Sequence, residues 1–589
     1  DSLLIFDNLE FDAAIKGEGS QWQDREFELI EQIPYPLILK AAGGAHLNLT
    51  IQFVGAASTL ENRHQFTEIA VIQMLSDLET LLQNFVSNPQ SRVCELAMNR
   101  PSCFVVGNSV IPLSCLEILV KQGWQILGVH STDNSLQGWA EDRDIFHTSI
   151  RDVFREQLLN SEYDYLFSIN NVEWIIPPDI LARARKFTIN YHDSPLPRYA
   201  GLYATSWALL NGESEHAVTW HEVTPQIDGG RIFKQQPVTI LADDTVFALN
   251  TRCFSAAVTS FEEMIAELET NRVKSYHQDL AHRTYFGPSN RPPASSLLSF
   301  DVSSQDIYNL VRALEFGPTR NQLGVPKVWL PEGVVVVASA LPIETVECPP
   351  GQVLHLDAEG LCIATIDGAV QLRGLSTLNG KPISVPSLVA DYGVRVGEIL
   401  PTIDRARRDA ITERNGAICR HEDVWATSLI QLAPFQHPYL PVEVGDPTVA
   451  RAIHRYPISV ATTAIESRSL LATDAQRSIA PKIFAQRVPL RVQIQAEESF
   501  SQFRSRLEMA IDRANRLGSY RHTLLRRYPE LQDRATDLSV AIGLAPSPDR
   551  LDWQHLGASL AFVAYADGSL PEVVHAGSID DAYSQEIVR

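Results

Sequence analysis

The stretch from residue 102 to residue 129 constrains the fold of this chain most. Cys103-Phe104-Val105-Val106-Gly107 reads as a short apolar strand ending in glycine, and a helical pattern follows over residues 112–122. Gly123 stops that helix, and Trp124-Gln125-Ile126-Leu127-Gly128-Val129 supplies the next strand. A strand–helix–strand start implies a parallel sheet with right-handed crossovers. Tyr165-Leu166-Phe167-Ser168-Ile169 and Phe187-Thr188-Ile189-Asn190 repeat the strand signal. Ligands of such open sheets sit at the carboxyl ends of the strands, so the residues just after each strand are the first candidates for a site. No GxGxxG follows the first strand, which leaves a dinucleotide reading little support.

The chain has 589 residues, enough for three or four domains of roughly 100–200 residues each. Four segments are expected: 1–97, strand-rich and closed by a helix; 98–286, the parallel α/β unit; 287–402, a small β subdomain; and 403–589, a charged helical linker followed by a further α/β region. Hydrophobic residues at 45% and charged residues at 20% fit ordinary globular protein. No apolar run reaches membrane-spanning length, and Asp1-Ser2-Leu3-Leu4-Ile5-Phe6-Asp7 lacks the basic start of a signal peptide. It also lacks an initiator Met, as an excised piece of a longer chain would. Seven scattered cysteines form no CxxC and no Cys/His spacing, so buried reduced thiols in a cytoplasmic protein and no metal are expected. Forty-nine Lys and Arg against 71 Asp and Glu give a net charge of −22. Without a Lys/Arg run to displace phosphate counterions, nucleic acid is a poor partner, and Arg405-Ala406-Arg407-Arg408 reads as part of a solvated connector helix.

The chemistry concentrates in Asn190-Tyr191-His192-Asp193-Ser194-Pro195-Leu196-Pro197-Arg198-Tyr199-Ala200-Gly201. Asn190 and His192 lie two apart at a strand end, on one face. Pro195 and Pro197 turn the chain out of the sheet, and Gly201 allows a close turn. Asp228 follows Asn190 by 38 residues, in the loop Val223-Thr224-Pro225-Gln226-Ile227-Asp228-Gly229-Gly230. An amide donor can stabilise a developing oxyanion, an imidazole can move a proton near neutral pH, and a carboxylate can orient the imidazole and stabilise its charged form. Taken singly, Asn-x-His is an ordinary strand end and Asp-Gly-Gly an ordinary turn.

Taken together, these residues resemble the folate-dependent formyltransferases, the family of methionyl-tRNA and glycinamide ribonucleotide formyltransferases. The matches are Asn190, His192, Ser194, Leu196, Pro197, Gly201 and Asp228, with Gly229 and Gly230 after the acid. The likeness covers about residues 102–400. It extends to Val311-Arg312-Ala313-Leu314 with Gly317-Pro318, and to Pro350-Gly351-Gln352-Val353-Leu354, which look like the opening of the family's small C-terminal barrel. The resemblance implies 10-formyltetrahydrofolate as co-substrate, Asn190, His192 and Asp228 as catalytic residues, and Ser194, Leu196, Pro197 and Gly201 as the turn beside the substrate. It also implies folate contacts from the loops around Ser168, Asn170, Asn171, Val223 and Ile227. The fold class it implies is α/β: a Rossmann-like formyltransferase domain with a small C-terminal β-barrel subdomain, flanked by α+β condensation-like pieces.

The wording of the motif, with Ala204-Thr205-Ser206-Trp207-Ala208 and Val218-Thr219-Trp220-His221 behind it, is similar to formyltransferase domains inside nonribosomal peptide synthetases of antibiotic biosynthesis. That implies a carrier-protein-bound aminoacyl-phosphopantetheine as acceptor and neighbouring synthetase domains as partners. The flanks look like condensation-domain pieces through Leu3-Leu4-Ile5-Phe6-Asp7-Asn8, through a helix over 66–86, and through Val488-Pro489-Leu490-Arg491-Val492 before Ser499-Phe500. No HHxxxDG occurs, so a structural or docking role is expected there. His216, His221 and His282 are expected to pack or line a groove, and Trp207 and Trp220 to be core. Three rival functions stay open: formylation of a free small amine, hydrolysis of the formylfolate, and a silent interaction platform that keeps the fold.

Overall fold

The computed structural model describes residues 100–431 apart from 172–173, 271 and 345–346, together with 483–485 and 499–532. It also describes strands in both flanks and several helical positions between 71 and 86. The chain forms two compact units. The first comprises Asp1–Tyr191, Trp220–Pro225 and Val258–Ser275, and the second His192–Thr219, Gln226–Ala257 and Tyr276–Arg589.

In the first unit the expected strand–helix–strand start is present. Strand β1 (Ser102–Gly107) leads into α1 (Val110–Lys121) and then β2 (Gln125–His130). Strands β3 (His147–Thr148), β4 (Tyr165–Ile169), β5 (Phe187–His192) and β6 (Glu215–Glu222) follow. Hydrogen-bonded neighbours run β6-β5-β4-β1-β2-β3. The pairs β1–β2, β2–β3, β1–β4 and β4–β5 are all parallel. The strand order reverses between β1 and β4, and that switch point is where open α/β sheets bind ligands. All six residues of β1 and all five of β4 are buried, which is why both read as unbroken apolar runs.

Behind β1, Phe104 meets Phe154 and Tyr163 edge-on, with ring centroids 5.6 and 5.1 Å apart. Leu158, Leu166, Trp174 and Ile180 close this core. Each such buried side chain contributes about 1.5–3 kcal/mol of transfer free energy. Gly107 ends β1 because nothing larger fits: a Cβ there would stand 1.8 Å from the Ile169 carbonyl oxygen. Trp220 is fully buried, and its indole N–H donates to Ser260 at 3.0 Å, as a core tryptophan requires.

In the second unit, the small β subdomain shares one core whose residues run from Leu298 to Leu400. Its four-stranded antiparallel sheet runs Ser339–Glu344, Gly368–Arg373, Gly360–Ala364, Val353–Asp357, and a separate hairpin pairs Lys327–Leu330 with Gly333–Val336. Isolated bridges, Val336 to Ser376 and Gln352 to Ile399, extend this pairing, so the expected small barrel takes the form of a sheet and hairpin around one core. The strands Gly360–Ala364 and Gly368–Arg373 form a hairpin, in which Asp367 accepts from the Ser304 amide and the Thr365 hydroxyl and holds the turn. The helix Ser304–Arg312 opens with a capping box between Ser303 and Asp306.

The arginines that open the charged connector, Arg405 and Arg407, are exposed, and its later part packs. The helix Arg405–Cys419 buries Ile411 and Ile418 against Leu297, Val334, Ile483 and Phe484. A buried ion cluster lies further on. Glu422, 1% exposed, accepts from Arg521 at 2.8 Å and from Arg527 at 2.7 Å. Arg521 also donates to the Leu323 and Gln322 carbonyls, and Arg527 to that of Asn321.

Of the flanking expectations, the strand at Leu3–Asp7 is present and pairs with Leu37–Ala42, which pairs in turn with Asn48–Phe53. The strand Val488–Val492 and the helix Phe500–Leu517, capped by Ser499 with Gln502, lie where the strand–helix step was expected. Parts of the 66–86 helix, residues 87–99 with Cys94, and most of 432–498 lie outside the described residues. The other six cysteines are free thiols, five of them buried. No described helix is long and apolar enough to cross a membrane.

Candidate active site

The predicted residues fall into two groups, one in each unit. In the first unit, the loops after β1 and β4 are knitted together across the switch point. The Asn170 amide donates to the Asn108 carbonyl at 3.0 Å and to the Ser109 hydroxyl at 3.1 Å. Asn108 accepts from the Ser131 hydroxyl and the Thr132 amide, both at 2.8 Å. The Asn171 side chain closes its own loop, accepting from Trp174 N at 3.1 Å and donating to Trp174 O at 2.9 Å. Asn170 itself has φ 52°, the left-handed region that asparagine tolerates better than most residues. Both asparagines predicted to contact folate thus use their side-chain amides to build the loop. Ser168 is buried beneath this loop, its hydroxyl 3.4 Å from the Asn171 amide. The Val223 amide donates to Thr188 O at 2.8 Å, which fixes the start of the second predicted loop against β5.

Asn190 is half-buried on β5, and both hydrogens of its amide have acceptors: Tyr191 O at 2.9 Å and His221 Nε2 at 3.2 Å. His221, assigned from the sequence to packing or a groove, is therefore a direct neighbour of the predicted oxyanion donor.

In the second unit, His192 is 7% exposed and its Nε2 lies 2.9 Å from the Tyr199 carbonyl. A carbonyl oxygen only accepts, so Nε2 carries the proton and the lone pair of the neutral ring is on Nδ1. Asp228 Oδ2 stands 3.9 Å from Nε2, and Asp193 Oδ1 stands 3.9 Å from Nδ1. Asp228 therefore acts on His192 by charge at this distance, while the imidazole is oriented by the Tyr199 main chain. Burial alone would lower the His192 pKa, but Asp228, Asp193 and the Tyr199 carbonyl outweigh it and hold it above the ordinary imidazole value.

Asp228 is itself fixed. It has φ 50°, its carboxylate accepts from Gly201 N at 2.8 Å, and its carbonyl accepts from Gln278 at 2.8 Å. Gln278 also bonds Gly230 O at 2.6 Å, and Arg283 bonds Ile227 O at 2.8 Å. Gly201 earns its place twice: φ is +99°, and a Cβ would meet the Phe286 carbonyl oxygen at 2.2 Å. Ser194 donates to Arg198 O and accepts, through its own carbonyl, from Thr219, so it shapes the turn from within. Leu196 is buried with Ala200 and Ile232, and the Leu196–Pro197 peptide is cis. Ile227, 43% exposed, offers an apolar side chain beside Asp228.

His216 is buried, with Nε2 2.7 Å from Asp193 O. His282 departs from expectation: its side chain is 76% exposed and faces Asp279 at 3.5 Å. It ends a short 3-10 turn on the surface, where neither packing nor a groove engages it. Among the described residues, no group of three His, Cys, Asp or Glu could hold a metal ion. Tyr199 O, Gln278, Arg283 and the role of His221 were missed by sequence reasoning. All four act with or upon main-chain carbonyls, which leave no signature in side-chain identity.

Residues 163–265 match the family described as formyl transferase, and residues 292–393 match the formyl transferase C-terminal domain. Among curated proteins, the methionyl-tRNA formyltransferase of Sulfurihydrogenibium sp. (strain YO3AOP1) is 22% identical over 311 residues, covering 50% of this chain and 97% of that protein. Among solved structures, WlaRD, a sugar 3N-formyl transferase determined with dTDP and 5-N-formyl-THF, is 21% identical over 47% of this chain and 98% of its own, with a TM-score of 0.40. HypX from Aquifex aeolicus, determined with tetrahydrofolic acid, is 16% identical over 52% of this chain and 50% of its own, with a TM-score of 0.37. The class defined by the fold, the matched residues and the site is a formyl-transferring enzyme with an α/β catalytic domain and a small β domain. Over residues 163–265 and 292–393 the chain matches the formyl transferase family, which is the extent of the likeness.

Proposed function

We propose that this protein transfers the formyl group of 10-formyltetrahydrofolate to the amine of a carrier-bound aminoacyl thioester in nonribosomal peptide assembly. The observation that carries the reading is the state of His192: proton on Nε2, lone pair on Nδ1, and two carboxylates within 3.9 Å to stabilise the imidazolium. The amine nitrogen attacks the formyl carbon, a C–N bond forms, and the carbonyl electron pair moves to oxygen. Asn190 donates to that oxyanion. His192 takes the proton released by the attacking nitrogen, and the tetrahedral intermediate collapses by breaking the bond to folate N10, which leaves with a proton. Oxyanion donors of this kind are worth about 10²–10³-fold and positioned acid–base groups about 10²–10⁴-fold.

The carrier-bound acceptor is supported by the motif around Asn190 and Trp207, by strand and helix segments in both flanks, and by the net charge of −22, which disfavours a tRNA. Folate would be met at the loop after β4 through main-chain groups, since Asn170 and Asn171 are engaged in the loop itself. Purified protein incubated with 10-formyltetrahydrofolate and a panel of aminoacyl-loaded carriers tests the reading by mass spectrometry. Replacing H by CHO adds about 28 Da to one loaded carrier, and His192→Ala lowers that rate by at least about 10²-fold. Formate release with no acceptor modified would replace the transfer by hydrolysis. Gain on a free amine, with none on any carrier, would remove the peptide-synthetase acceptor.

A further inference from the structure

The geometry points to His221 as a positioning residue for Asn190, one that holds the second amide hydrogen in the resting site and gives it up to the oxyanion. The inference deepens the formyl-transfer reading and rests on it for its kinetic consequence, though not for its structural one.

The argument runs through hydrogen ownership. His221 Nδ1 lies 2.9 Å from Glu222 O. That carbonyl can only accept, so Nδ1 carries the proton and Nε2 of the neutral ring is an acceptor. Asn190 Nδ2 is 3.2 Å from Nε2 and 2.9 Å from Tyr191 O. The Tyr191 carbonyl excludes the alternative in which the amide is flipped, because two oxygens would then face each other. Both amide hydrogens are therefore committed, one to the main chain and one to an imidazole nitrogen.

The two bonds are unequal. The Tyr191 bond is short and goes to the residue next in sequence, while the His221 bond is longer and goes to a neutral acceptor. An oxyanion makes a charge-assisted bond about twice as strong as a neutral one. As charge develops on the formyl oxygen, the His221 bond is the one it displaces. Until then His221 prevents the amide from rotating or pairing elsewhere, and it is itself 2% exposed and fixed by Glu222. Preorganisation of this kind is how an oxyanion donor avoids reorganising at the moment of reaction.

Two variants separate positioning from packing. Phenylalanine fills the ring volume of His221 but accepts no hydrogen bond; glutamine fits the volume less well but can accept from Asn190 through Oε1 while donating to Glu222 O through Nε2. Formyl transfer by His221→Phe should show kcat lowered about 10–100-fold with KM for 10-formyltetrahydrofolate within about 3-fold of wild type, and His221→Gln should recover most of kcat. Equal kcat in the two variants, or a better enzyme with phenylalanine, would overturn the assignment. A readout independent of turnover is the tautomer of His221, from 15N-histidine-labelled protein with the resonance assigned by its loss in His221→Gln. A protonated Nδ1 with an unprotonated Nε2 at neutral pH is expected whatever the acceptor. The opposite tautomer would refute the proposal even in an active enzyme, and the expected tautomer in a protein without formyl transfer would fault the proposed function instead.

Discussion

Replacing Glu422 by glutamine removes one negative charge from a site where every neighbour is fixed. Glu422, Arg521 and Arg527 are all about 2% exposed or less. The Glu422 carboxyl is held down to about 2 from an ordinary 4.5: burial pushes it up, and Arg521 and Arg527 more than reverse that. A displacement of roughly 2.5 units at about 1.4 kcal/mol per unit corresponds to about 3 kcal/mol of stability at neutral pH. Mutational experience with one partner removed from a buried ion pair, about 3–5 kcal/mol, reaches the same range by a separate route. Arg521 is kept charged by Glu422 against burial, whereas Arg527 is lowered by burial and by Arg521, so the carboxylate is the member whose loss the cluster tolerates least. Because the carboxyl pKa is depressed in the folded chain, its contribution is present above about pH 4.5 and is lost as pH falls toward 2. Thermal unfolding of Glu422→Gln beside wild type at neutral pH should show the transition of this region lowered by about 6–12 °C, at about 2–4 °C per kcal/mol. The gap should narrow in acid. A variant as stable as wild type at pH 7, or a gap undiminished near pH 3, would refute the reasoning.

Other outcomes follow from the site. Asn190→Ala should lower kcat by at least about 10²-fold with little change in folate KM, measured as formyl transfer under saturating acceptor, because the amide is used as charge develops. Asp228→Asn keeps an acceptor for Gly201 and a residue suited to φ 50°, yet removes the charge 3.9 Å from His192. The His192 pKa should therefore fall, moving the acid limb of kcat/KM to lower pH; an NMR titration of His192 unchanged by the substitution would contradict the charge argument. The same sign governs stability: the raised His192 pKa stabilises the wild-type fold below about pH 6.5 and that part is lost as pH rises through the folded value. Gly201→Ala should destabilise the turn and abolish activity, since its Cβ would overlap Phe286 O, and circular dichroism with a melting curve reads the first effect.

The parts of this molecule that were legible in the sequence are those where one physical rule acted alone. Strand β1 and strand β4 are buried on both faces, so their apolar runs stand out without an alignment. The places of Asn190 and His192 at a strand end and of Asp228 in a loop were legible because a strand signal, a proline turn and a glycine pair each mark their own position. The arginines that open the helix from Arg405 are solvated as read, but the packing of that helix rests on Ile411 and Ile418, spaced seven apart, which a charge-dominated segment does not advertise. The turn at 365–367 is held by Asp367 bonding to Ser304, a partner 63 residues away, and so has no local signal. The ion cluster joining Glu422 to Arg521 and Arg527 spans about a hundred residues of sequence and gave no local signal.

His192, at the end of β5, and His221, in β6, show why side-chain identity alone could not divide the labour. In each ring a main-chain carbonyl decides which nitrogen holds the proton: Tyr199 O takes Nε2–H of His192, and Glu222 O takes Nδ1–H of His221. The tautomers are therefore opposite. His192 is left with a basic Nδ1 and two carboxylates near the ring, the condition of a proton acceptor whose charged form is stabilised. His221 is left with an Nε2 lone pair engaged by Asn190, the condition of a hydrogen-bond acceptor that holds an amide in place. Exchanging the two carbonyl contacts would exchange the available nitrogens without changing a residue. The division between the proton carrier and the positioning ring is thus set by backbone geometry, seven residues after His192 in one case and one residue after His221 in the other.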